Sequence, residues 1–120
     1  MPLISIVDDD ESVRNALKSL IDSVGFRAEV FDSGEKFLNS PYLSQTDCLI
    51  TDVRMPGMSG LELQDRLSAA RRSIPIVFIS AHDDNEARAR GLRAGAIDFL
   101  QKPFSEDSLL GAISVCLDKS

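Results

Sequence analysis

The sequence predicts an α/β fold of the (βα)₅ type, a doubly wound parallel sheet of five strands with helices on both faces. Five short apolar runs alternate along the 120 residues with segments whose apolar residues recur at helical spacing. The runs are continuous, which is typical of strands that are buried on both faces. Strands and helices that alternate in this way require a parallel sheet covered on both sides.

The first strand–helix unit begins with the apolar run Leu3–Val7. A helix is predicted to start near Asp10 and Glu11, because acidic residues favour a helix N-terminus. Gly25 provides a suitable end. The second unit opens with Arg27–Phe31, which is predicted to lie nearer an edge of the sheet because it carries two charged residues.

The middle of the chain continues the alternation. Asp32 or Ser33 can cap a short helix that ends at Leu38. The third strand is predicted at Asp47–Thr51, and a loop rich in turn residues follows it. Ser59 is then a candidate cap for the third helix.

The last two strand–helix units carry fewer sequence signals, but strand and helix alternate in the same order. Ile76–Ile79 is the fourth apolar run, and a weak helix follows from about Asp84 to Arg93. Gly91 interrupts that helix at a cost of up to ~1 kcal/mol relative to alanine, which suggests low helix stability. Ala96–Leu100 is the fifth predicted strand, and Ser105 can cap the last helix.

The composition restricts the classes of function. A net charge of -6 argues against nucleic-acid binding by this domain, which requires a basic face. Arginines cluster locally, either as solvated helix faces or as a partner-docking face. Cys48 and Cys116 are read as reduced core residues, with a structural disulfide as the alternative. No apolar run approaches the ~20 residues of a membrane span, and no signal peptide is recognised, so we expect a single cytoplasmic domain over residues 1–120.

Polar residues follow four of the predicted strands. Asp8 and Asp9 come after the first, Asp52 after the third, Ser80 ends the fourth, and Lys102 follows the fifth. Ligands of open parallel sheets bind at the carboxyl ends of the strands, so these side chains are predicted to form one site. Three carboxylates repel one another, and Mg²⁺ would relieve that repulsion while leaving room for phosphate oxygens.

Asp52 has two readings. One is a strand-end residue that caps a turn; the other is a nucleophile whose carboxylate attacks a phosphoryl group, with Lys102 neutralising the transferred charge. A Mg²⁺-dependent phosphatase or phosphotransferase is one alternative function, although such enzymes of the haloacid-dehalogenase type carry Asp-x-Asp on the first strand, unlike Asp8-Asp9 here. A flavodoxin-like binding module is another, but the acidic first loop would repel its phosphate.

The ordered motifs identify a family. Over its whole length the chain resembles the receiver domain of two-component response regulators, on Val7-Asp8-Asp9, Thr51–Gly57 with Ser59-Gly60, Ser80-Ala81 and Lys102-Pro103-Phe104. The run Asp-Val-Arg-Met-Pro is most similar to receivers joined to LuxR-type helix-turn-helix domains. The resemblance implies the flavodoxin-like strand order 2-1-3-4-5 and a signalling switch that catalyses only its own phosphorylation and dephosphorylation.

The resemblance also implies a role for each residue at the strand ends. Asp52 would be the phospho-acceptor, taking its phosphoryl group from a phosphohistidine of a sensor histidine kinase. Asp9 and Asp52 would bind Mg²⁺ directly, assisted by Asp8, and the backbone carbonyl of Arg54 would complete the protein ligands. The side chain of Arg54, together with His82, would tune the rate of dephosphorylation.

The remaining implied roles concern the response to phosphate. Ser80 would donate its hydroxyl to the phosphoryl group, Lys102 would pair with another phosphoryl oxygen, and the Lys102–Pro103 peptide would be cis. Phe99 would be the aromatic switch that swings inward when Ser80 moves. The surface of the fourth helix, fifth strand and fifth helix would then change its population of shapes, as an output face or homodimer interface. The output domain is absent from this sequence, and a stand-alone receiver in a phosphorelay is the alternative.

Overall fold

Five parallel strands and five α-helices alternate along the part of the chain that the computed structural model describes, residues 1–81 and 83–119. The bounds are β1 Leu3–Val7, α1 Glu11–Ser23, β2 Arg27–Phe31, α2 Gly34–Leu38, β3 Cys48–Asp52, α3 Gly60–Ala69, β4 Ile76–Ser80, α4 Asn85–Arg93, β5 Asp98–Gln101 and α5 Glu106–Lys119. A short 3₁₀ turn, Leu43–Gln45, precedes β3. Among these residues, no helix has both the length and the apolarity needed to cross a bilayer.

The strand order in the sheet is β2-β1-β3-β4-β5, which confirms the predicted fold. The register pairs Val7 of β1 with Thr51 of β3, and Ser80 of β4 with Gln101 of β5. The carboxyl ends of these strands therefore lie along one edge of the sheet. The β2 strand lies at one end of the order, as its two charged residues predicted.

The sheet separates two apolar clusters, one on each face. Ile4, Ile6 and Ile50 point to the face that α1 and α5 cover. Leu49 and Phe78 point to the opposite face, which α2, α3 and α4 cover. Because successive strand residues alternate between two buried faces, the inner strands read as continuous apolar runs.

The two cysteines lie together in the core on the α5 side of the sheet. Both are buried and free of a disulfide, so they are reduced core residues as the sequence suggested. A hydrogen bond between the Cys48 and Cys116 thiols, together with burial, raises the pKa of Cys48. The thiol of Cys48 therefore stays protonated and is a poor nucleophile.

Side-chain caps fix the starts of the helices. Of the two candidates at α2, Ser33 is the cap, and its hydroxyl accepts the N–H of Lys36. At α3, Ser59 forms a complete capping box with Glu62. The Ser105 hydroxyl accepts the N–H of Ser108 in the first turn of α5. These local bonds satisfy N–H groups that a helix N-terminus leaves without partners.

Gly91 has a packing role that the sequence did not reveal. A Cβ atom at this position would lie 2.9 Å from Cε2 of Phe78, so only glycine lets α4 approach the sheet this closely. Ala87 and Gly91 are the buried residues of α4. The helix therefore rests on the sheet through two small residues, one turn apart.

The β5 strand begins at Asp98, two residues later than predicted. The backbone N–H of Ala96 is bonded to the carbonyl of Gly91, and Gly95 has a φ of 104°. This left-handed glycine closes the end of α4 and takes Ala96 into the helix termination instead of the strand.

Candidate functional site

Three carboxylates meet at the carboxyl ends of β1 and β3. Asp8 and Asp9 follow β1, and Asp52 is the last residue of β3. One oxygen from each side chain lies within 4.8 Å of the others. The strand order reverses direction at β1 and β3, which is the position where open parallel sheets bind ligands.

The three carboxylates differ in their exposure to solvent. Asp8 is fully buried, and Asp52 is 8% exposed. Asp9 is exposed. The cluster therefore runs from the interior to the surface, and a ligand can enter from the side of Asp9.

Asp8 is held in place by two contacts. Its Oδ1 accepts the backbone N–H of Asp10 at 2.9 Å, and its Oδ2 lies 3.2 Å from Nζ of Lys102. Burial raises the pKa of Asp8; the Asp10 N–H bond opposes this rise, and the charge of Asp52 adds to it. A positive charge at the site is thus required to keep this carboxylate ionised at low cost.

Lys102 follows β5 at the same edge of the sheet and supplies a positive charge. Its Nζ lies 3.2 Å from Asp8 and 3.3 Å from Asp52. Burial alone would lower the pKa of Lys102, but the charges of Asp52 and Asp8 outweigh it and raise the pKa. The side chain is therefore an ammonium ion that bridges two carboxylates.

The backbone around Lys102 directs it toward the site. The Lys102 N–H donates to the carbonyl of Ser80 at 2.7 Å. The Lys102–Pro103 peptide bond is cis. Lys102 therefore lies directly after the paired ends of β4 and β5, and its position depends on the sheet.

Asp52 is braced by backbone on both sides. The N–H of Arg54 donates to Oδ1 of Asp52 at 3.2 Å, whereas Oδ2 faces Lys102. A Cβ atom on Gly60 would lie 2.2 Å from the carbonyl oxygen of Asp52, so α3 starts immediately behind this residue. The packing role of Gly60 was not predicted from the sequence, in which its only signal was the Ser59-Gly60 pair after the turn.

Two further predicted residues, Ser80 and Phe99, lie at the end of β4 and within β5. Ser80 is fully buried at the end of its strand. Phe99 is 5% exposed, and its ring centroid is 6.2 Å from that of Phe78, on the face that α4 covers. The aromatic ring is thus already inside the core in this structure.

The donor set fits a small hard cation. Each of the three carboxylates places one oxygen within 4.8 Å of the others, so together they can hold one ion, and oxygen donors are the ligands that Mg²⁺ prefers. Three carboxylates and one ammonium leave a net negative charge, which a divalent cation would neutralise. His82 lies outside the described residues, so the structure does not place this predicted tuning residue.

The arrangement matches a known family of proteins. The sequence pattern described as "Response regulator receiver domain" matches residues 4–114. Response regulator protein TmoT of Ectopseudomonas mendocina is 50% identical over 115 residues, which is 96% of this chain and 52% of TmoT. Transcriptional regulatory protein FixJ of Bradyrhizobium diazoefficiens is 40% identical over 111 residues, which is 92% of this chain and 54% of FixJ.

Solved structures give the same result. The response regulator StyR superposes with a TM-score of 0.91 at 50% identity, covering 98% of this chain and 59% of StyR. The structure titled FixJ-N superposes with a TM-score of 0.89 at 34% identity, covering 98% of this chain and 94% of that one. The chain spans about half the length of the curated relatives that it matches.

Proposed function

This chain belongs to the response regulator receiver domain family, and on that premise we propose that it is a phosphorylation-activated signalling switch with Asp52 as its phospho-acceptor. The observation that carries the proposal is the cluster of Asp8, Asp9 and Asp52 with the ammonium of Lys102 at 3.2–3.3 Å. The cluster combines a nucleophile, a cation site and a counter-charge at one edge of the sheet.

The proposed reaction transfers a phosphoryl group from a phosphohistidine of a sensor histidine kinase. A carboxylate oxygen of Asp52 forms a bond to phosphorus while the bond from phosphorus to the imidazole nitrogen breaks. The electron pair leaves with the imidazole, which then takes up a proton from solvent. The product is an acyl phosphate on Asp52, and with a small donor such as acetyl phosphate the leaving group is acetate.

The side chains around Asp52 each have a task in this transfer. Asp9 and Asp52 would hold Mg²⁺ directly, with help from Asp8 and the backbone carbonyl of Arg54. When bound, Mg²⁺ offsets negative charge on the transferred phosphoryl oxygens. Lys102 already lies between two carboxylates and would turn one of its N–H groups to a phosphoryl oxygen.

The proposed response begins at Ser80 and Phe99. The hydroxyl of Ser80 would bind a phosphoryl oxygen, and the packing around Phe99 would change in consequence. Because Phe99 is already buried, this change is a rearrangement within the core. The affected surface comprises α4, β5 and α5, and we propose it as the output face and as a homodimer interface.

The whole protein's role is part of the proposal. FixJ is named a transcriptional regulatory protein, and this chain corresponds to about half of its length. We propose that the domain controls a LuxR-type DNA-binding effector in the cytoplasm. A stand-alone receiver in a phosphorelay is the alternative, and the gene sequence beyond Ser120 distinguishes the two.

The test is labelling by acetyl phosphate, followed by intact mass. With Mg²⁺ the protein should gain one phosphoryl group, and Asp52→Asn should gain none. Asp32→Asn is the matched control, because Asp32 follows β2 at the same edge of the sheet but outside the cluster. Retained labelling in Asp52→Asn would refute the assignment of the acceptor.

A second assay separates a switch from an enzyme that acts on other substrates. The protein is incubated with Mg²⁺ and a small phosphate ester such as p-nitrophenyl phosphate. A switch should release no more than a trace of product per chain, because the phosphoryl group stays on the protein. Sustained turnover that depends on Asp52 would favour the phosphotransferase reading.

A further inference from the structure

An ion pair joins the site loop to the start of α4. Arg54 lies two residues after Asp52, and its Nη2 contacts Oδ2 of Asp84. Asp84 is the N-cap of α4, and its Oδ1 accepts the N–H of Ala87 at 3.0 Å. One carboxylate therefore both caps the helix and binds an arginine of the site loop.

Arg54 also contacts the proposed acceptor. Its backbone N–H donates to Oδ1 of Asp52 at 3.2 Å, while its side chain extends to Asp84. The contacts thus form an unbroken path from Asp52 through Arg54 and Asp84 to the first turn of α4. The two ends of the ion pair are 30 residues apart in sequence.

The two residues of the ion pair lie at a surface groove. The groove is lined by Val53, Met55 and Leu61 of the β3–α3 segment and by Asp84 and Ala87 at the start of α4. The side chain of Asp84 is 18% exposed and that of Arg54 is 61% exposed. The Ala87 N–H bond, and then the charge of Arg54, hold the pKa of Asp84 below its ordinary value, so its carboxylate is ionised at neutral pH.

Among the described residues, two further polar side-chain contacts of α4 lie later in the helix. Nε2 of Gln64 donates to the carbonyl of Gly91 at 3.0 Å. Nη2 of Arg90 lies 2.6 Å from Oδ2 of Asp65. Both contacts hold the C-terminal half of α4 to α3, whereas the Arg54–Asp84 pair holds the first turn to the site loop.

We propose that the Arg54–Asp84 ion pair is a latch that holds the first turn of α4 in the unphosphorylated protein, so that Arg54 is a positioning residue that restrains the switch. The role in switching rests on the proposed function, whereas the latch itself does not. A phosphoryl group on Asp52 adds about -1.5 to -2 charges beside the loop that carries Arg54. Phosphoryl oxygens bind guanidinium groups well and would compete with Asp84 for it.

The test is hydrogen exchange at the amides of Ala87 and Arg88 in protein that has received no phosphodonor. Arg54→Gln and Asp84→Asn each remove the ion pair, and asparagine still caps the helix. Each should speed exchange about two- to fivefold, the range expected for one partly exposed ion pair. The double variant should be no faster than either single variant, because one contact accounts for both effects.

Three further measurements separate a latch from a general loss of stability. Arg54→Lys should keep part of the protection, and ~1 M salt should bring the wild type toward Arg54→Gln, since exposed charges are then screened within ~3 Å. Asp65→Asn is the matched control, because it removes an ion pair of α4 that does not reach the site loop. It should leave the first-turn amides unchanged.

The same exchange at Ala87 and Arg88 in wild type and Arg54→Gln would overturn the latch. Exchange that is as fast in Asp65→Asn as in Arg54→Gln would also overturn it. Treatment with Mg²⁺ and acetyl phosphate should raise exchange in the wild type toward the level of Arg54→Gln, and no change in labelled protein would contradict the role in switching. Absence of a label on Asp52 would instead contradict the proposed function, while the exchange of unphosphorylated protein still decides the latch.

Discussion

At the scale of single residues, the site depends on a balance between buried groups of opposite charge. Asp8 is fully buried yet carries a carboxylate, and Lys102 is the cation that accompanies it. Burial raises the pKa of Asp8, whereas the charge of Lys102 lowers it. The carboxylates in turn raise the pKa of Lys102. The protein therefore keeps a costly ionised group where the proposed cation would bind.

The first residue-scale prediction concerns Asp8→Asn in metal-free protein. The raised pKa means that the folded state favours the neutral form, so a neutral isostere should stabilise the fold. We expect the Tm at pH 7 to rise by roughly 2–5 °C, which corresponds to at most ~1 kcal/mol in a domain of this size. Thermal unfolding in the presence of a chelator measures the change.

The pH dependence of this effect provides its control. A carboxyl group whose folded pKa lies above its ordinary 3.8 binds protons more tightly when folded, so its contribution to stability falls as pH rises above that value. The Tm difference between Asp8→Asn and wild type should therefore be small near pH 4 and grow until Asp8 is fully ionised. A difference that shrinks with rising pH would contradict the sign.

Mg²⁺ should reverse the order of the two proteins. An ion that binds only the folded state stabilises it by ~2.7 kcal/mol at a concentration of 100 times its Kd. The wild type should gain more from Mg²⁺ than Asp8→Asn, because the variant has lost one carboxylate of the cluster. Equal gains in Tm for both proteins would show that Asp8 takes no part in cation binding.

At the scale of elements, α4 is attached to the sheet more lightly than its neighbours. Its buried residues are Ala87 and Gly91, whereas α5 buries Leu109, Ile113 and Cys116 among others. Small residues allow close approach but contribute little buried apolar area. An element of this kind is suited to change its position when the site changes, which is what the proposed output face requires.

Gly91→Ala tests the close approach of α4. The new Cβ would lie 2.9 Å from Phe78, so we expect a loss of about 1–3 kcal/mol from overpacking, despite alanine's better helix propensity. Gly111→Ala in α5 is the matched control, because a Cβ there meets no atom within 4 Å, and it should gain up to ~1 kcal/mol. Urea unfolding of both variants gives the comparison, and a stabilised Gly91→Ala would contradict the packing.

At the scale of the whole molecule, the parallel sheet is what brings the site together. Asp8, Asp52 and Lys102 are far apart in sequence, and the register of β1, β3, β4 and β5 aligns the strand ends that they follow. Disruption of any of these strand pairs would separate one of these side chains from its partners. The stability of the inner sheet and the chemistry of the site are thus coupled.

Much of this arrangement could be predicted because it rests on short patterns. Continuous apolar runs predicted the inner strands, and the polar residues at their ends predicted the cluster that includes Asp8 and Asp52. The Arg54–Asp84 pair could not be predicted, since it joins two loops whose spacing only the folded sheet determines. The need for glycine at position 91 depends likewise on the distance between α4 and Phe78.

The most direct test of the account locates the phosphoryl group in the chain. Protein labelled with acetyl phosphate and Mg²⁺ is reduced with borohydride, which converts an aspartyl phosphate to homoserine, and its peptides are sequenced by mass spectrometry. We predict homoserine at position 52, dependent on both Mg²⁺ and the phosphodonor. Modification at Asp8 or Asp9 with Asp52 unchanged, or labelling that persists without a divalent cation, would contradict it.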